Sequence, residues 1–178
     1  MTSAAEAGPP VRQPAAAADL AAVAVQLGRA PRGTRYVAHR CPCGLPDVVE
    51  TTPRLPDGTP FPTLYYLTCP RAVGECGRLE SAGVMRELSA RLADDPVLAA
   101  RYRAAHEDYL ARRTAIAAVP EIEGVSAGGM PGRVKCLHVQ LAHALGAGPG
   151  VNPIGDETLA LVAPWWTGGR CVDPDEGP

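Results

Sequence analysis

The chain is almost without lysine and has no excess of positive charge. Lys135 is the single lysine among 178 residues, and 17 basic against 19 acidic side chains give a formal net charge of −2. Proteins that grip nucleic acid through its phosphates need a concentration of basic charge, so no nucleic-acid partner is expected. We attribute the arginine- and alanine-rich composition to coding bias rather than to function.

The chain also lacks a long hydrophobic run and a targeting signal. Its longest apolar run, Leu20–Val25, is far shorter than the ~20 residues of a membrane-spanning helix. The opening "MTSAAEAGPPVRQP" has neither the basic region nor the apolar core of a secretory signal. We therefore expect a cytoplasmic protein without membrane association. Thiols stay reduced there, so the six cysteines are expected to be free thiols or metal ligands rather than disulfides.

The length and composition predict one folded domain between two tails. A chain of 178 residues with 46% hydrophobic and 20% charged residues can bury a core without cross-links. The Ala-, Pro- and Gly-rich ends predict disordered tails over 1–17 and 164–178, which leaves a single α+β domain over 18–163. Trp165 and Trp166 lie in the second tail, where they either pack back onto the domain or contact a protein partner.

The fold predicted from the residue patterns is α+β. Strand-like segments at about 34–41, 47–54 and 63–69 are rich in β-branched and aromatic residues. Helical patterns cover about 19–28, 77–95, 96–118, a segment starting near 136 and a short segment before Pro164. We predict a small three-stranded antiparallel meander followed by four to five packed helices.

Three cysteines are predicted to meet at one end of the sheet. Cys41 and Cys43 flank the turn after the first strand, and Cys69 ends the third strand. Antiparallel pairing of the second and third strands brings Cys69 to the end of the sheet that carries this turn, and Cys136 can close the set from a helix. Such a set predicts a structural zinc or iron site. Buried free thiols and a redox C-x-C pair are the alternatives, and Cys76 and Cys171 fall outside the set.

The segment "GRVKCLHVQLAH", residues 132–143, contains one more thiol and two histidines. Cys136 and His143 share a helix face but lie ~10 Å apart along the axis, too far for one ion. Cys136 and His138 point in nearly opposite directions in a regular helix, so they can share a metal only if Cys136 precedes the first turn. The helix is apolar nearly all round, which predicts a central, buried position and a packing role for His143. A buried, hydrogen-bonded neutral imidazole is the alternative for His138.

A glycine-rich loop before this helix provides a second hypothesis. Flexible backbone, a helix N-terminus and basic side chains suit an anion, which predicts a phosphate- or nucleotide-handling enzyme that uses Arg54, Arg133 and Lys135. The segment matches no P-loop or dinucleotide fingerprint, so a plain connection is the alternative. A cysteine nucleophile with a histidine base is chemically conceivable, but no catalytic motif selects one.

Three long segments resemble domain-of-unknown-function family 501. They are "RCPCGLPDVVETTPRLPDGTPFPTLYYLTCP", "RLESAGVMRELSARL" and "SAGGMPGRVKCLHVQLAHALGAGPGVNPIGDE". The resemblance implies a small bacterial protein of no assigned activity, whose gene neighbours include those of enolase, a septum-formation initiator and an exopolyphosphatase. It therefore implies a housekeeping role near cell division or phosphate metabolism, such as a partner-binding module linked to cell division. It also implies that the Cys43 position takes other polar residues, so the predicted metal ligands are Cys41, Cys69, Cys136 and His138, with Cys43 weaker.

Overall fold

The computed structural model describes residues 12–176, and it confirms the α+β class. Within that range the strands are Gln13–Pro14 (β1), Thr34–Arg40 (β2), Pro46–Thr51 (β3) and Tyr65–Leu67 (β4). The α-helices are Ala17–Leu27 (α1), Pro70–Ser81 (α2), Val84–Asp94 (α3), Pro96–Ile116 (α4), Leu137–Ala147 (α5) and Pro153–Leu161 (α6). Short 3-10 helices cover Pro120–Ile122 and Pro174–Glu176.

The predicted domain limits stay a prediction. Residues 1–11 of the predicted tail over 1–17, and residues 177–178 of the tail over 164–178, lie outside the described residues. The described parts of both tails contact the rest of the chain. Gln13 and Pro14 pair with β2, and Arg71 donates hydrogen bonds of 2.9 Å to two carbonyl oxygens near the C-terminus.

The sheet of the described residues is antiparallel throughout, in the order β1-β2-β3-β4. The predicted meander forms β2, β3 and β4, but the strand count of three differs from the observed four, because β1 adds to the outer edge of β2. A two-residue strand is too short to show a period-2 pattern. Its Pro14 has no N–H to donate, which is tolerated at a sheet edge.

The helical part differs from the prediction at Gly83. One helix was predicted over 77–95, whereas the structure has two, α2 and α3, which end and begin on either side of Ala82 and Gly83. Gly83 has φ +90°, a left-handed conformation that glycine adopts without the steric cost of a side chain. α2 also starts seven residues earlier than predicted, with Pro70 in its first turn, where proline is favoured.

α5 is the central helix, as its all-round apolar pattern predicted. It contacts β2, β3 and β4 of the sheet and the helices α2 and α6. Its nine buried residues are Leu137, Gln140, Leu141, Ala142, His143, Ala144, Leu145, Gly146 and Ala147. α5 therefore brings its N-terminus to the place where the sheet meets α2.

His143 has a packing role inside this core. Its ring is fully buried, stacks on Tyr65 at 6.0 Å and meets Tyr109 edge-on at 5.1 Å. Nδ1 lies 3.1 Å from Asn152 Nδ2, and Nε2 lies 3.3 Å from a carboxylate oxygen of Asp108. Burial lowers the pKa of His143. The side chain is held by buried hydrogen bonds and is separate from Cys136.

Candidate metal centre

Cys136 and His138 meet because α5 begins late. Leu137 is the first helical residue, and Cys136 is the N-cap with an extended backbone at φ −155° and ψ 115°. Cys136 therefore lies outside the first turn. Side chains two positions apart point in nearly opposite directions only inside a regular helix, so this restriction does not apply to Cys136. Its Sγ lies 3.6 Å from His138 Nδ1. This is the one geometry in which the two side chains can serve a common ion.

A carboxylate from α2 completes a group of three donors. Glu80 Oε1 lies 3.1 Å from His138 Nδ1 and accepts a 2.7 Å hydrogen bond from the backbone N–H of Leu137. The donor atoms of Glu80, Cys136 and His138 all lie within 4.8 Å of one another. Sequence reasoning missed Glu80, which is one of 19 acidic residues and meets α5 only through the tertiary fold.

The second ring nitrogen of His138 fixes the orientation of the imidazole. Nε2 lies 3.2 Å from the backbone oxygen of Val73. A carbonyl oxygen only accepts hydrogen bonds, so Nε2 carries a proton and Nδ1 faces the thiol and the carboxylate. The pKa of His138 is raised to about 9, chiefly by the hydrogen bond with Cys136 and further by the Glu80 charge.

Two of the three donor residues, Cys136 and His138, line an open cleft of about 530 Å³. Val73 of α2 and Val139 of α5 line it with them. The segment Tyr65–Thr68, which includes β4, also lines the cleft. Both apolar and polar groups therefore face the space next to the donors.

The other predicted metal ligands lie at the opposite end of α2. Cys69 is the N-cap of this helix, whereas Glu80 lies eleven positions later, ~16 Å along a helix axis. Cys41 and Cys43 lie in the turn between β2 and β3, where Cys43 N–H points to Cys41 Sγ at 3.5 Å. Burial raises the pKa of Cys41 to about 11 and also raises that of Cys69, for which the side-chain hydrogen bond with Cys171 is the larger cause. The structure thus divides the predicted set between the two ends of α2.

The residues predicted to bind an anion are not gathered in one place by any described contact. Arg54 pairs with both carboxylate oxygens of Glu121, at 2.8 and 2.7 Å. Arg133 and Lys135 are exposed in the loop before α5. The N-terminus of α5 already receives a carboxylate, that of Glu80. The anion site stays a prediction.

The two tryptophans of the C-terminal segment differ in exposure. Trp165 is 6% exposed and Trp166 is 36% exposed, with their rings edge-to-face at 4.9 Å. The protein partner proposed for this pair stays a prediction. Among residues 12–176, no helix combines the length and the apolar character that crossing a membrane requires.

Comparison with known proteins identifies the family. Residues 37–160 match the family model described as protein of unknown function (DUF501). The match spans more than half of the 178 residues, so the chain belongs to the DUF501 family, as the resemblance implied. No curated protein and no solved structure matches the chain.

Proposed function

We propose that this member of the DUF501 family binds a divalent transition-metal ion, with zinc the best match, through Glu80, Cys136 and His138. Thiolate, imidazole and carboxylate are the donors that zinc takes in proteins. Iron accepts similar donors, but the thiolate and the tetrahedral spacing described next favour zinc. The proposal rests on the arrangement of these three side chains and on the hydrogen bond that orients the His138 ring.

Two of the three donor separations lie close to those of a tetrahedral metal site. Bonds of ~2.3 Å to sulfur and ~2.1 Å to nitrogen or oxygen, at tetrahedral angles, separate N from S by ~3.6 Å and N from O by ~3.4 Å. The observed separations from His138 Nδ1 are 3.6 Å to Cys136 Sγ and 3.1 Å to Glu80 Oε1. A zinc ion would therefore displace one proton from the imidazole and one from the thiol, and would leave the backbone in place.

The observation that carries the proposal is the hydrogen bond from His138 Nε2 to Val73 O. Metal-binding histidines almost always donate their second N–H to a carbonyl or carboxylate, which fixes the tautomer and the ring orientation. Here that bond directs the Nδ1 lone pair toward Glu80 and Cys136. Glu80 is also held in place, because its Oε1 accepts the N–H of Leu137.

Three protein donors leave a fourth position that faces the cleft. Structural zinc sites are closed by four protein ligands, whereas catalytic sites keep one position for water or substrate. The cleft next to Cys136 and His138 gives a small molecule access to that position. The arrangement supports a metal centre that binds and polarises a small ligand more than it supports a purely structural clamp.

Metal analysis of the full-length, untagged protein tests the proposal. We expect His138→Ala and Cys136→Ala each to remove about one zinc ion per chain, because losing one of three ligands weakens the site severely. Glu80→Gln keeps an oxygen acceptor for the N–H of Leu137, so it tests the charge without uncapping α5. His106→Asn is the matched control, since His106 bonds to Ser126 and lies outside the donor set. Unchanged zinc content in both the His138 and Cys136 variants would refute the site.

A thiol nucleophile is the second candidate, favoured by the Sγ–Nδ1 distance of 3.6 Å and by the N-cap position of Cys136. An adjacent imidazole is a base that thiol nucleophiles use in proteins. Alkylation followed by peptide mass spectrometry distinguishes the two functions. In metal-free protein, Cys136 should react faster than a small free thiol at neutral pH, and His138→Ala should remove the advantage. Zinc should protect Cys136 if it is a ligand, and a reaction rate unaffected by zinc would count for the nucleophile alone.

A further inference from the structure

A second group of thiols surrounds the N-terminus of α2. It consists of Cys41, Cys43, Cys69 and Cys171, which we call the thiol cluster. Gln26 Nε2 donates to Cys171 Sγ at 3.3 Å and to Pro46 O at 2.7 Å, directly after the turn that carries Cys41 and Cys43. Cys41 and Cys69 are buried, whereas Cys43 and Cys171 are partly exposed. Four thiols from three separate segments therefore lie around the start of α2.

N–H donors point at two of these four sulfur atoms. Cys41 Sγ receives Cys43 N–H at 3.5 Å, and Cys171 Sγ receives the Gln26 amide at 3.3 Å. Cys69 is the N-cap of α2, the end of a helix that favours negative charge. Thiols release their protons when they bind a metal ion.

A buried carboxylate adds an independent sign of a bound cation. Asp47 is fully buried, and its backbone oxygen accepts the N–H of Thr68, the residue before Cys69, at 2.8 Å. One carboxylate oxygen of Asp47 bonds to His39 Nδ1 at 2.7 Å, while the other, Oδ2, has no hydrogen-bond partner among the described residues. A buried carboxylate oxygen without a partner is costly, and a positive ion nearby would offset that cost.

We propose that Cys41, Cys43, Cys69 and Cys171 bind a structural zinc ion that fastens the C-terminal segment to the sheet and to α2. Four thiolates form a closed zinc site. The ion displaces one proton from each thiol, and no electron transfer is involved. This site is independent of the Glu80, Cys136 and His138 centre, because the two sets share no residue.

The thiol cluster has to close slightly to bind the ion. Among the described residues, Glu80, Cys136 and His138 are the one set of three donors that all lie within 4.8 Å of one another, so no three of the four sulfur atoms are yet this close together. Cys43 and Cys171 are the partly exposed members, and rotation about their side-chain bonds is the movement required. A disulfide between Cys69 and Cys171 is the competing outcome.

Cadmium-113 NMR of the intact wild-type protein loaded with cadmium tests this site without any substitution. The shift of the bound metal moves strongly downfield as sulfur ligands replace nitrogen and oxygen. We expect two resonances, a far-downfield one from the thiol cluster and a less shifted one from the Glu80 centre. Absence of the far-downfield resonance would refute the thiol site.

Variants separate this proposal from the one above. Cys171→Ser and Cys69→Ser should each lose about one zinc ion per chain and the far-downfield resonance, and should keep the other resonance. His138→Ala should show the reverse. Cys76→Ala removes a buried cysteine outside the thiol cluster and should change neither the zinc content nor either cadmium resonance. Undiminished zinc in Cys171→Ser, or a non-reducing mass lower by two hydrogen atoms in zinc-free wild type, would overturn the thiol site.

Discussion

Replacing Arg113 of α4 should destabilise the fold more than replacing other arginines of the same helix. Arg113 is 3% exposed, and its guanidinium donates to the backbone oxygens of Pro62 at 2.9 Å, Val125 at 2.6 Å and Ile122 at 2.7 Å. It joins α4 to the segment before β4 and to the loop after the 3-10 helix. Burial lowers the pKa of Arg113, but arginine remains charged at neutral pH.

The cost of Arg113→Met follows from the carbonyl groups it leaves behind. Ile122 O also accepts the N–H of Val125 at 3.2 Å, so it keeps one partner. Pro62 O and Val125 O lose the hydrogen bond from the guanidinium, at ~1–3 kcal/mol for each unsatisfied group. Methionine carries no charge, so the variant no longer bears the cost of burying the guanidinium, and this offsets part of the loss. We expect a net loss of about 3 kcal/mol in the free energy of unfolding, which corresponds to a Tm lower by ~6–12 °C.

Urea unfolding followed by tryptophan fluorescence and circular dichroism measures this loss. Trp165 is buried, so its emission should report unfolding. Arg101→Met is the matched control, because Arg101 is exposed on the same helix and its replacement should change the unfolding free energy by no more than ~0.5 kcal/mol. Equal stability of the two variants would show that the carbonyl groups find other partners, and the reasoning from buried hydrogen bonds would fail.

Two further predictions concern a close approach in the core and one charged pair. Gly146→Ala should lower the free energy of unfolding by ~1–3 kcal/mol in urea titrations, because its Cβ would lie 2.7–3.0 Å from ring carbons of Tyr65. Gly74→Ala, in α2 with no described heavy atom within 4 Å of the new Cβ, should instead stabilise by ~0.5–1 kcal/mol, and a loss there would contradict the reasoning. The hydrogen bond from Arg40 lowers the pKa of Asp19. The contribution of this ion pair to the free energy of unfolding is therefore present above the unfolded pKa of ~3.9, and it is lost as pH falls through the pKa of the folded state. Asp19→Asn should therefore cost up to ~1 kcal/mol at pH 7 and almost nothing at pH 2, and an equal cost at both pH values would show that charge is not the cause.

Local chemistry decided the parts of the fold that could be predicted. Asp95 before Pro96 predicts a helix start, and the Asp95 side chain does accept the N–H groups of Val97 at 2.9 Å and Leu98 at 3.0 Å. The segments rich in β-branched residues form the predicted meander because such side chains favour strands. β1 could not be predicted, because its two residues become a strand only by pairing with β2. The break at Gly83 could not be predicted either, since a glycine inside a helical pattern is often tolerated.

The candidate sites were predicted only where their residues are neighbours in sequence. Cys136 and His138 are two positions apart, so helix geometry limited how they could meet. Glu80 reaches them through a contact between α2 and α5, which no local pattern records. Cys171 was assigned to a tail, yet contacts from Gln26 and Arg71 hold its segment against the body.

α2 explains why one predicted site becomes two. Its N-cap is Cys69 and its penultimate residue is Glu80, so a single helix carries a donor of each proposed centre at opposite ends. Negative charge suits both positions. A Cys69 thiolate bound to zinc would lie at the N-terminus of α2, and Glu80, unfavourable at a helix C-terminus, is offset by the N-terminus of α5, which it caps. Because the two proposed centres lie at opposite ends of one helix and share no residue, each should bind its ion whether or not the other is occupied.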